Sequence, residues 1–483
     1  PTAARGAAWA GRRAVGHLAV PRPGSGRIVL GRAGRRLVAV ERGQSLLVVG
    51  PTQSGKTSGL AIPALLEWEG PVLATSVKTD LVRAAYRRRA ELGEVFVFDP
   101  SGVSELGGAG WSPLAAAASW EGARRTAAGL CGVARGSGGL EDGAFWYACA
   151  EKLLAPLLFA AASSGGTIED VVRWVDTGEA SEVLVALELA GVPEAVRAAE
   201  ASFGREERQR SSVYTTAETV LAAFADPLVA RACGRHDLDP CRLLGGGCDS
   251  MFLVAPAHEQ ERLQSVFVAI VRSVLEEAMT RSSRAGGPLD PPLLVVLDEA
   301  ANVAPLSTLD TLASTAASHG IQLVTVWQDL AQVEARYAGR AATVVNNHRA
   351  KLLCSGISDA ATLEQVGRIV GDETHEVVSS TVDRSGAWSR TSSTATRRLV
   401  PAEVLRCLAP GDAVLVYGHL PPLRIALRPV ASDRALARLS RGRKLEAPRP
   451  AATGRRAGRG GRRLPRLRPW RRGRPSGRAS GAT

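Results

Sequence analysis

The stretch GPTQSGKTSGL, residues 50–60, constrains the chain more than any other feature. The spacing G-x-x-x-x-G-K-[ST] has a mechanical reason. The loop must turn its backbone N–H groups inward around phosphates and then open a helix whose N-terminus favours negative charge. Gly50, Pro51, Thr52, Gln53, Ser54, Gly55, Lys56 and Thr57 satisfy every fixed position, and Ser58 opens the helical pattern at 58–66. An apolar run at 45–49 comes directly before. Strand, loop and helix in this order predict an ATP site, with Lys56 reaching the β- and γ-phosphates and the Thr57 hydroxyl binding Mg2+.

Such a site needs a second carboxylate and a group that activates water. The apolar run 293–297 ends in Asp298 and Glu299. Asp298 is expected to hold Mg2+ through water, and Glu299 to polarise the attacking water as general base. The run 321–326 leads through Trp327 to Gln328. An amide at the carboxyl end of a strand beside the P-loop strand is placed to sense the γ-phosphate, because ligands of such sheets bind at the strand C-termini.

Further strand-length runs lie at 71–75, 95–98, 251–255, 351–354 and 413–417. Runs apolar throughout are what a parallel sheet covered on both faces requires, so the fold class is α/β. Residues 111–244 break the alternation: they carry Ala/Leu/Glu/Arg-rich helical patterns and no convincing strand, which predicts an all-helical insertion. The expected organisation is a basic N-terminal segment at 1–42, an ATPase domain at 43–110 and 245–432, the helical insertion at 111–244, and a tail at 433–483.

Charge is unevenly spread. Residues 441–483 sum to +14 and residues 1–42 to +8, so of the total of +13 the body between them carries −9 by difference. The tail is rich in Arg, Gly and Pro and poor in apolar residues, a composition that cannot repay the entropy of folding and is expected to be disordered. Its arginines can neutralise phosphates, and Trp470 among them can stack on a base. Seven cysteines without a CxxC pair imply a reducing compartment rather than a disulfide framework. Cys233, His236, Cys241 and Cys248 cluster at a spacing that fits no familiar zinc pattern, and buried thiols are expected there. The longest apolar run, 153–162, is shorter than the roughly 18 residues of a spanning helix and contains Pro156. The expectation is a chain that does not itself span a membrane, with any anchor absent or upstream of Pro1.

Taken together, GPTQSGKTSGLAIPALLEWEGPVLATSVKTDL, VFVFDPSG, LLVVLDEAANVAPL, HGIQLVTVWQDLAQVEARYAG and VVNNHRAKLLCSGISD resemble, in this order, the TraG/TraD family of type IV secretion coupling proteins. These are conjugative DNA-transfer ATPases related to the FtsK and HerA motors, and the likeness covers most of residues 40–430. It implies a RecA-like ATPase domain with an inserted helical domain, assembled as a homo-oligomeric, hexameric ring around a DNA channel. It also implies single-stranded DNA as cargo, relaxosome or secreted substrate proteins and the secretion channel as partners, and a place at the cytoplasmic face of the bacterial membrane. Lys78 and Asp80 fall on the family's motif after the second strand, and Gln328 on its sensor glutamine. Many members carry an arginine finger shortly before the sensor strand, where 314–320 here has only His319; Arg336, Arg340 and Arg349 are the candidates to replace it. Two alternatives accompany this reading: a translocase for double-stranded DNA, and a platform that docks substrate proteins under nucleotide control.

Overall fold

The computed structural model describes residues 6–442 apart from 12, 25, 138–142 and 383–387. Among the described residues fourteen strands are formed: β1 (Ala19–Val20), β2 (Val29–Ala33), β3 (Arg36–Ala39), β4 (Leu46–Val49), β5 (Val72–Ser76), β6 (Val95–Phe98), β7 (Ser250–Val254), β8 (Leu293–Leu297), β9 (Ile321–Trp327), β10 (Ala350–Cys354), β11 (Asp372–Val382), β12 (Trp388–Arg398), β13 (Asp412–Tyr417) and β14 (Leu423–Ala426). All but β11 and β12 join one sheet in the order β1-β3-β2-β14-β13-β10-β4-β9-β8-β5-β7-β6. From β10 to β6 every neighbouring pair is parallel, and β13, β14, β2, β3 and β1 extend the sheet in antiparallel pairs.

The parallel strands are buried on both faces, as their unbroken apolar character predicts. Leu46 and Val48 of β4 face a core with Leu60, Leu65, Leu81 and Val82, while Leu47 and Val49 enter the core on the opposite face with Trp327, Val333 and Val344. All eight sequence-predicted strands are present within a residue or so of their expected ends.

The described residues of 111–244, between the neighbouring strands β6 and β7, form helices and no strand. Their central helix, Gly143–Ser164, is long and apolar enough to cross a membrane, unlike the shorter run read from the sequence. It instead lies mostly buried, packed by the helices Trp120–Ser137, Ser181–Ala190, Pro193–Phe203 and Glu207–Leu221. Of the clustered cysteines only Cys233 is buried, its thiol pushed up to about 12 by desolvation. Cys241 is exposed and Cys248 half-buried, so the buried-thiol expectation fails for these two.

Two segments depart from their expected roles. Within 1–42, β2 and β3 continue the sheet, and Leu30 and Val38 with the flanking Ile28 and Val40 join its core. At the other end, Arg434–Arg441 is a helix, N-capped by the Asp433 side chain and anchored by the fully buried Leu436. It packs on the helices Thr79–Leu92 and Ile62–Glu67, so the disorder expected from 433 does not begin there. The remainder of the basic tail, with Trp470, lies outside the described residues.

Candidate nucleotide site

The P-loop leaves the carboxyl end of β4, flanked by β9 on one side and β10 on the other. The Gly50 N–H donates to Trp327 O of β9 at 3.1 Å. A Cβ on Gly50 would lie 2.7 Å from Cys354 Cβ and 2.8 Å from Ser54 Oγ, so only glycine fits between β10 and the loop. Gln53 and Gly55 have φ of 64° and 90°, the left-handed turns that curl the loop back on itself. Thr52 and Gln53 are exposed and Ser54 is buried. Lys56, also buried, lays its ammonium against the loop, donating to Pro51 O at 2.8 Å and to Gly50 O. Burial lowers its pKa, against the opposing pull of Glu299, Cys354 and Asp298.

The acidic pair approaches from β8, one strand beyond β9. Thr57 Oγ1 donates to Asp298 Oδ2 at 3.3 Å, which joins the P-loop to the acidic strand across the intervening β9. Burial, with the charges of Glu299 and Asp80 adding to it, pushes the Asp298 carboxyl up to about 6, against the Thr57 hydrogen bond and Lys56. Asp80 of the SVKTDL stretch is thus within electrostatic reach of the site. Thr75 of β5, which the sequence reading overlooked, fixes the Asp298 backbone: its Oγ1 donates to Asp298 O at 3.2 Å.

Glu299 turns sharply out of the strand with φ of 54°. This left-handed conformation costs a non-glycine residue roughly 1–3 kcal/mol and is the kind of strain that functional sites hold. The turn carries its carboxylate towards the end of β9, where Gln328 Nε2 donates to Glu299 Oε2 at 3.1 Å. Four sequence-predicted residues from three elements, Thr57, Asp298, Glu299 and Gln328, are therefore linked in two hydrogen-bonded pairs next to the Lys56 ammonium. A buried carboxylate held high by desolvation and facing a threonine hydroxyl is a donor set suited to a divalent cation, so Thr57 and Asp298 fit the Mg2+ expected of them.

A family model described as "Type IV secretory system Conjugative DNA transfer" matches residues 11–426. The chain belongs to this family. Similar curated members are the conjugal transfer protein TraG of Escherichia coli, 28% identical over 61% of this chain and 50% of TraG, and VirD4 of Agrobacterium fabrum, 27% identical over 84% of this chain and 61% of VirD4. The chain thus spans about half of TraG and three fifths of VirD4. Among solved structures, the bacterial conjugative coupling protein TrwBdeltaN70 superposes with a TM-score of 0.67 at 18% identity, covering 88% of this chain and 93% of that one. TrwB in complex with ADP and Mg2+ gives 0.66 at 17%, with the same coverage. At such identities the likeness establishes the fold alone, an α/β fold with a mostly parallel P-loop sheet.

In this family member the helix after the P-loop has a support that the sequence did not reveal. Pro63 has no N–H, so the Gly59 carbonyl four residues earlier lacks its helical partner. The first turn, Thr57–Ala61, is correspondingly wide, with the Ile62 N–H bonding back five residues to Thr57 O. That leaves the Ser58 carbonyl free as well. Both are taken up by the segment after β14: Arg428 N donates to Gly59 O at 3.2 Å and Val430 N to Ser58 O at 3.3 Å. Leu427 lies over the turn so closely that a Cβ on Gly59 would sit 2.9 Å from its Cβ. The buried Arg428 guanidinium then forks onto Glu67, at the end of the same helix, through contacts of 2.9 and 2.8 Å, and reaches Asp433 at 3.0 Å. A proline inside a P-loop helix and a lone arginine in IALRPV were the only signals of this strap.

Two of the three candidates for a replacement finger, Arg340 and Arg349, have other engagements, as does His319, while the Arg336 side chain has none among the described residues. Arg340 pairs with Asp310 at 3.3 Å. Arg349 pairs with Glu41 at 3.8 Å and lies 5.6 Å above the Tyr417 ring. His319 Nδ1 is 3.2 Å from Ser282 Oγ.

Proposed function

We propose that the chain is the ATP-hydrolysing motor of a type IV secretion coupling protein, moving DNA, single-stranded by preference, towards the secretion channel. The observation that carries this reading is the Gln328–Glu299 hydrogen bond, set beside the Thr57–Asp298 bond at the mouth of the P-loop. It supports Glu299 as the general base and Gln328 as the amide that orients it beside the P-loop. Family membership supports DNA transfer as the setting, and the nucleotide complexes of TrwB support ATP and Mg2+ as ligands.

Lys56 would leave its loop carbonyls for the β- and γ-phosphates, while Thr57 and Asp298 would hold Mg2+. The cation supplies charge neutralisation for the phosphates. Glu299 accepts a proton from water on its carboxylate, and Gln328 Nε2 orients that carboxylate. Thr75 and the strained Glu299 turn keep both acids at the strand ends. The active assembly is a homo-oligomeric ring, hexameric by the family's pattern, at the cytoplasmic face of the membrane, with relaxosome or secreted proteins meeting the helical unit.

The test is ATP hydrolysis by the assembled chain with and without single-stranded DNA. The expected result is stimulation by DNA and loss of turnover in Lys56→Ala; hydrolysis that ignores DNA would refute a DNA motor. One observation favours the docking-platform reading: the only basic side chain in 314–320, His319, is tied to Ser282. Capture of substrate protein by Glu299→Gln without DNA would support that alternative, and strand preference in translocation separates single- from double-stranded cargo.

A further inference from the structure

Three arginines converge where the inserted helical unit meets the loop that follows Glu299. Arg272 comes from the helix Gln260–Ala285, and Arg336 and Arg340 from the end of the helix Leu330–Tyr337 and the turn after it. They line one cavity of about 70 Å³. Gly132 of the helical unit lines the same cavity beside Arg272. Arg272 meets Glu276 at 3.4 Å and Arg340 meets Asp310 at 3.3 Å, each through one guanidinium nitrogen rather than a two-pronged fork. Arg336 has no acid and no hydrogen-bond partner among the described residues, and burial lowers its pKa.

Three guanidiniums against two carboxylates leave one positive charge uncompensated in a partly desolvated space. Such a charge costs stability unless an anion completes it. Guanidinium forks match the oxygens of a phosphate, and the cavity is of a size for one such group.

We propose that Arg272, Arg336 and Arg340 form a binding site for a phosphate oxyanion, supplied by the phosphodiester backbone of a nucleic acid. The proposal rests on the DNA reading above only for the source of the phosphate. The site is joined to the nucleotide machinery by Tyr337, which follows Arg336. Its Oη donates to Leu306 O at 3.0 Å, in the loop leading from Glu299, and its ring packs edge-on against Trp327 with centroids 6.1 Å apart. Trp327 immediately precedes Gln328. An anion that fixes Arg336 and Arg340 therefore bears on the segments that carry both Glu299 and Gln328.

The experiment uses the full chain and two probes. A fluorescent single-stranded oligonucleotide is titrated across a salt series with wild type, Arg336→Gln and Arg336→Lys. Arg336→Gln is expected to weaken binding about five- to tenfold and to reduce the salt slope by about 0.7, with Arg336→Lys restoring the slope but only part of the affinity. In parallel, inorganic phosphate is added to Lys56→Ala, where the P-loop cation is gone, with and without Arg336→Gln, and the melting temperature is read. A phosphate-dependent rise that Arg336→Gln removes, with oligonucleotide binding unmoved or absent even in wild type, supports the site and makes free phosphate its source. If neither arm moves, the proposal is overturned. It is also overturned if Arg336→Gln melts several degrees lower without ligand, because the arginine then serves packing, or if turnover without DNA collapses while both binding arms are unchanged.

Discussion

Replacing Arg428 by alanine tests whether the strap over the P-loop helix governs nucleotide binding or only stability. The change strands Glu67 and Asp433, whose side chains are 9% and 12% exposed, without their common cation. Removing one partner of a buried pair costs about 3–5 kcal/mol, most of it the desolvated charge left behind. At about 2.1 cal/mol/K per residue, 483 residues give an unfolding entropy near 1 kcal/mol/K, so the melting temperature should fall by about 3–5 °C. Glu67→Ala should do nearly as much. The double variant should be little worse than either single one, giving a coupling energy of about 2–3 kcal/mol. The strap also caps Ser58 and Gly59 and lays Leu427 on the turn that begins at Thr57. Affinity for ADP with Mg2+, measured by titration calorimetry well below the melting transition, should therefore drop several-fold in Arg428→Ala. Additive single effects would refute the buried pair as the source of stability. A lower melting temperature with unchanged ADP affinity would refute the link from the strap to the P-loop.

Two other substitutions probe the two hydrogen-bonded pairs of the site. The Asp298 carboxyl sits near 6 in the nucleotide-free fold, above its unfolded value of about 3.9, so its contribution to stability is present below pH 4 and lost as pH rises through 6. Asp298→Asn should accordingly melt higher than wild type above pH 6 without nucleotide, and the two should converge towards pH 4. Mg2+ binding runs the other way, because the metal competes with that proton: affinity for Mg2+ with nucleotide should weaken about tenfold per unit below pH 6 in wild type and lose this dependence in Asp298→Asn, as calorimetry across pH would show. Gln328→Ala frees the Glu299 carboxylate from its only side-chain donor among the described residues and should lower turnover about 10²-fold while ATP affinity stays within about threefold, which steady-state hydrolysis and equilibrium binding separate.

The parts of the fold and site that were legible in the sequence are those where one local requirement dominates. A strand buried on both faces must be apolar throughout, so β4 to β10 declared themselves. A loop that wraps phosphates must place glycines and a lysine at fixed intervals, so 50–57 did too. The hairpin β11–β12 gave no such sign, because its described residues are largely exposed and rich in Ser and Thr, with no apolar face whose alternation could be read. β2 and β3 were hidden by the arginines around them, although Ile28, Leu30, Val38 and Val40 supply the inward face of an edge that charged neighbours protect. The strap was illegible for a different reason: its logic is a deficit in one place met from far along the chain. Pro63 removes a donor, Gly59 and Ser58 keep their carbonyls, and the donors arrive from Arg428 and Val430 more than 350 residues later. No window on the sequence contains both halves. The same holds for Arg336, whose lack of a partner becomes informative only once the helical unit and the loop after Glu299 are seen to close around it. Motifs therefore recover the groups that touch the nucleotide, while the groups that hold those in place must be found by asking where each backbone donor and each buried charge goes.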